Sequence, residues 1–97
     1  MEFEWDPIKD HVNRLRHAVS FQEVTELFTS GVDYLEIFDD ERSHDEARFI
    51  AIGSIARGVV LVVYTERHEG VVRIISARRA SRAEVRLFWQ HMGGKDE

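Results

Sequence analysis

Residues 73–86 of this chain, RIISARRASRAEVR, hold five arginines, Arg73, Arg78, Arg79, Arg82 and Arg86. The stretch begins as an apolar strand and ends as a helix, so the cations gather at one strand-to-helix junction. Amide groups in the first turn of a helix have no partner within it and attract anions; flanking guanidiniums add two-pronged contacts to phosphate or carboxylate. Arg82 falls in that first turn, where the helix dipole disfavours a cation by about 0.3–1 kcal/mol unless an anion is bound. The chemistry suggested is recognition of an anion, an RNA phosphate above all. Structural ion pairs with the acidic N-terminal half, to Glu23 or Asp45 for instance, are the competing explanation. Simple strand alternation puts Arg73 and Arg79 on one face and Arg78 on the other.

Other reactive side chains are more scattered. His17, beside Arg16, falls between two helices and could act as acid, base or phosphate contact, or merely cap the first helix. Glu46 and Arg48 share one face at the start of a strand, where cross-strand pairing is the plain alternative. Tyr64, Thr65 and Arg67 end an apolar strand. The five histidines, His11, His17, His44, His68 and His91, have no metal-ligand spacing, and the chain has no cysteine. Asp39, Asp40 and Glu41 read as a solvated loop. Trp5 and Trp89 read as core.

The elements that must position these groups follow from periodicity. Asp6 before Pro7 starts a helix whose Ile8, Val12 and Leu15 recur on one stripe expected to face the core. Ser20 and Glu23 form a capping box opening a second helix with Phe21, Val24, Leu27 and Phe28 inward, and Gly31 ends it. Segments 33–38, 47–54, 58–66 and 71–77 read as strands joined by short turns, hence an antiparallel meander, with Phe3–Trp5 as a possible edge strand. Ser81 and Glu84 form a second capping box, opening a last helix with Val85, Phe88, Trp89 and Met92 as its core stripe. The fold class is α+β: a small antiparallel sheet with two N-terminal helices and a C-terminal helix. One domain is expected over residues 1–92, with a frayed tail at 93–97.

Composition narrows the classes. With 43% hydrophobic and 32% charged residues the chain is globular rather than disordered. No run approaches membrane-spanning length and no signal-peptide pattern opens the chain, so a cytoplasmic location is expected. The net charge of −5 is divided unevenly. Residues 1–50 carry five Lys/Arg against thirteen Asp/Glu, and residues 51–97 carry eight against five. Such polarity suits one anionic and one cationic partner.

FEWDP at 3–7, RHAVSF at 16–21, FIAIG at 49–53, VVYTER at 62–67 and RIISARRASRAE at 73–84 together resemble the BrnT family, ribonuclease toxins of bacterial type II toxin–antitoxin systems. The resemblance implies a RelE-like fold and RNA cleavage that inhibits translation and growth, without metal or other cofactor. It also implies a BrnA-like antitoxin with a ribbon-helix-helix part, through which the complex would meet operon DNA. Carried over by position, the family's motif residues are His17, Glu46, Arg48, Thr65, Arg67, Arg73, Ser76, Arg78, Arg79 and Arg82. Of these, Arg78, Arg79 and Arg82 would stabilise charge and Glu46 or His17 would act as base. Arg48, Arg67, Arg73, Thr65 and Ser76 would bind RNA. The chain departs from the family in Arg16 and Ala18, where Lys and Gly are usual, and in Phe88, where a tyrosine is common. A catalytically weak module serving its antitoxin in operon control is the alternative.

Overall fold

The computed structural model describes residues 1–42 and 46–93. His44, Asp45 and residues 94–97 of the expected tail lie outside them. The described residues form a sheet in the order β1-β5-β4-β3-β2. The strands are β1 (Glu2–Glu4), β2 (Leu35–Phe38), β3 (Arg48–Ile55), β4 (Gly58–His68) and β5 (Val71–Arg79). From β2 to β5 the pairing is the antiparallel meander expected from the short turns. The edge strand β1 joins β5 in parallel, since the whole chain between them serves as the crossover.

Helices cover both faces unequally. α1 (Pro7–His17), α2 (Phe21–Val24) and α3 (Glu26–Thr29) share one side, and α4 (Arg82–His91) lies on the other. The single helix expected from Ser20 to Gly31 is thus two short ones meeting at Thr25, whose hydroxyl donates to the Gln22 carbonyl. Val19, Phe21, Val24 and Leu27 bury against Val60, Val62, Ile74 and Ala77 to make the larger core. Across the sheet, Phe88 of α4 packs on Ile52 and Leu61. Because α4 covers only part of that face, the remainder is open. No helix among the described residues is long and apolar enough to cross a membrane.

Two expectations are overturned. The stripe Ile8, Val12 and Leu15 does not enter the core: these residues are 72%, 39% and 75% exposed. α1 is held instead by its other side, where buried Asn13 donates to the Val19 and Ala77 carbonyls and accepts from the Ala77 amide. Trp89 and Met92 are likewise substantially exposed, because α4 turns Phe88 inward and has no second layer beyond it.

Candidate functional site

A β-bulge in β5 decides which arginines share a face. Val63 pairs with Ser76 but its neighbour Tyr64 pairs with Ile74, leaving Ile75 as the extra residue. The slip moves every later side chain to the opposite face from the one simple alternation assigns. Arg73, Ser76 and Arg78 therefore stand on the open face, while Arg79 falls on the helix-covered side at the strand's end. The grouping of Arg73 with Arg79 is corrected accordingly.

The open face holds a cleft of about 620 Å³. Ile50, Leu61, Val63 and Ser76 line its floor; Arg78 and Glu84 stand at one side and Arg16 and His17 at another. Asp39 and Glu41, which read as a solvated loop, also line it, giving the cleft one basic and one acidic rim. One helix end and one strand end carry the basic groups. α1 delivers Arg16 and His17 at its C-terminus, where cations are favoured by the dipole. It stops at Ala18, a non-glycine residue in the left-handed region with φ 57°. The Arg57 guanidinium donates to the Ala18 carbonyl and pairs with Glu23 at 3.0 Å, tying this end to the capping box of α2.

At the other side, Ser81 accepts from the Glu84 amide and Glu84 accepts from the Ser81 amide, as the capping-box pattern predicts. Glu84 also accepts two hydrogen bonds from Arg78, both 2.8 Å. The fork from Arg78 is the main cause that holds the Glu84 carboxyl down at about 2, and raises the Arg78 pKa in turn. Arg78 also donates to the Arg79 carbonyl. Its guanidinium is thus fixed by three contacts at the mouth of the cleft.

Beyond the floor lies a second polar row. Strand register sets Glu4, Arg73, Thr65 and Arg48 side by side across β1, β5, β4 and β3. Thr65 is 1% exposed, and its hydroxyl has no hydrogen-bond partner among the described residues. Direct RNA contact by Thr65 is therefore corrected: the flanking strands and side chains cover it. Glu4 bridges Arg73 at 3.1 Å and Arg67 at 3.3 Å, and Arg67 meets Glu46 at 2.8 Å. Hydrogen bonding to Arg73 lowers the Glu4 pKa, and bonding to Glu46 raises that of Arg67.

Of the residues expected to act, His17, Ser76 and Arg78 meet in the cleft. Glu46 is drawn to Arg67 instead, and Arg79 and Arg82 stand exposed outside the lining. Tyr64 packs in the core against Phe28 and Phe49 and donates to Glu36, so it offers no stacking surface to a base. Sequence reasoning missed Asn13, which pins α1 to Ala77 between the two cleft residues Ser76 and Arg78. Its signal was a polar residue opposite the apolar stripe.

Comparison with known proteins agrees with this fold. The family model for the ribonuclease toxin BrnT of type II toxin–antitoxin systems matches residues 5–84. The fold is similar to the 1.1 Å crystal structure of the Brucella abortus ribonuclease toxin BrnT, with a TM-score of 0.67 and 24% identity. That alignment covers 84% of this chain and 99% of the Brucella one. No match was found among curated proteins. With four-fifths of its length matched by the family model, the chain belongs to the BrnT family of type II toxin–antitoxin ribonuclease toxins.

Proposed function

We propose that the chain is a metal-independent endoribonuclease that cleaves RNA in the cleft on the open sheet face, with the 2′-hydroxyl as nucleophile. One observation carries this reading: His17 and its neighbour Arg16 line the same cleft as Ser76 and Arg78, which lie some sixty residues away in sequence. His17 accepts the proton of the 2′-hydroxyl as that oxygen attacks phosphorus. Arg78 and Arg16 offset the charge gathering on the phosphorane, and the departing 5′-oxygen takes up a proton from water, to which His17 afterwards returns the one it accepted. The products are a 2′,3′-cyclic phosphate and a free 5′-hydroxyl. Ser76 positions a phosphate oxygen. Arg48 and Arg73 steer the strand along the polar row, and Arg79 and Arg82 meet flanking phosphates. Glu46, committed to Arg67, serves positioning rather than proton transfer.

The toxin unit spans residues 1–92 and works in the cytoplasm, where RNA cleavage inhibits translation. Its partner is a BrnA-like antitoxin whose ribbon-helix-helix part links the complex to operon DNA. The test is cleavage of a defined RNA oligonucleotide by the purified chain in excess chelator, with product ends identified by mass. Cyclic phosphate ends and a loss of about 10²-fold or more in His17→Ala are expected. Cleavage that stops with the chelator would overturn the metal-free mechanism.

A second reading has its own observation. Arg67, Arg73 and Arg78 are all paired with carboxylates in the free chain, which favours a non-catalytic module acting with its antitoxin. Folded chain that binds RNA in a salt-sensitive way yet never cleaves it would select that reading.

A further inference from the structure

α1 is amphipathic with its polarity reversed. Its inner side is attached through Asn13 and through Asp10, which accepts from the Phe21 amide. Its outer side carries Ile8 and Leu15 almost fully in water, with Val12 between them. Aliphatics at i, i+4 and i+7 span about two helical turns, a length that suits one facing helix. A contiguous stripe of this kind on a soluble chain marks a surface that is covered in use.

Charge says what covers it. Beside the stripe runs a groove of about 290 Å³ between α1 and β5, lined among others by Lys9, Arg16, His17 and the bulge residue Ile75. The carboxylates of α1 are engaged elsewhere: Asp6 caps Ile8, and Asp10 faces Phe21 and Arg14. The groove rim is therefore cationic in a chain of net charge −5. Arg16, His17 and Ser76 line both this groove and the cleft on the open face, so the two are continuous.

We propose that this stripe and groove are the docking surface for an acidic amphipathic helix of the antitoxin. The helix lays aliphatic side chains on Ile8, Val12 and Leu15 and sets carboxylates against Lys9 and Arg16. Its far end reaches His17 and closes the cleft to RNA. The proposal rests on membership of a toxin–antitoxin family and on the cleft being the RNA site only for that last consequence.

The test measures binding of the purified chain to the antitoxin of its own operon by titration calorimetry. Ile8→Asp and Leu15→Asp should each weaken binding at least about tenfold, while the isolated variants cleave RNA like the wild type. Lys9→Glu, which leaves the apolar stripe intact, should slow association and flatten its salt dependence. Val32→Asp, on the exposed loop after α3, should change nothing. Full affinity in Leu15→Asp and Lys9→Glu overturns the proposal. So does a free chain that sediments as a dimer and becomes monomeric on Leu15→Asp, because the occupant is then a second copy. If the wild type cleaves no RNA but loses antitoxin through Leu15→Asp, the ribonuclease reading falls and the docking surface stands.

Discussion

The two helix ends that frame the cleft are built to different standards. The start of α4 is doubly capped, and its Glu84 serves both the helix and the Arg78 fork. The end of α1 has a left-handed alanine, carries Arg16 and His17 at an exposed turn, and depends on Asn13 for its attachment to β5. In the proposed mechanism the doubly capped end holds in place the charge that Arg78 supplies, and the end anchored through Asn13 and Arg57 carries the group that exchanges a proton. On that proposal, charge stabilisation and proton transfer fall to separate pieces of backbone.

Substitutions at the two ends should separate those roles. The largest effect is expected from Arg78→Ala, about 10²–10³-fold in cleavage rate, the usual loss for one donor to a transition-state oxyanion. Circular dichroism should show the fold retained, since the Ser81–Glu84 box remains. Next comes Asn13→Ala, which leaves the buried Ala77 amide and carbonyl without their side-chain partner; about 2 kcal/mol should be lost in chemical denaturation. If its stability is unaltered, α1 is not anchored as described. Ala18→Gly relieves the left-handed strain and should gain about 0.5–1 kcal/mol, read by the same denaturation curve.

The smallest effect at neutral pH belongs to Glu84→Gln, which can keep the capping box but not the ion pair. The folded Glu84 carboxyl is held at about 2, below the ordinary glutamate value near 4.3. Its contribution is therefore complete above about pH 4.3 and fades as pH falls toward 2. The wild type should lose stability through that window faster than Glu84→Gln. Parallel curves would mean that the fork adds nothing to folding.

Local chemistry made much of this legible. The capping boxes at Ser20 and Ser81, the Asp6–Pro7 helix start and the left-handed Gly31 depend on neighbours within a few residues, and all are present. The meander followed from turn spacing. Harder to read was anything set by a distant partner. Periodicity shows that Ile8, Val12 and Leu15 share a face but not whether that face meets a sheet or solvent; Asn13 and Ala77 decide it, 64 residues apart. The meeting of His17 with Arg78 has the same origin. The bulge depends on β4 pairing as well as on β5, so no alternation rule applied to β5 alone could find it.

The extra residue at Ile75 also shapes how β5 can vary. Before it, odd-numbered positions face the open side; after it, even-numbered positions do. A complete substitution scan of 71–79 would trace a two-residue rhythm of tolerance that skips one beat at Ile75, and deleting Ile75 alone would restore unbroken alternation while leaving the buried and open-face sets where they are.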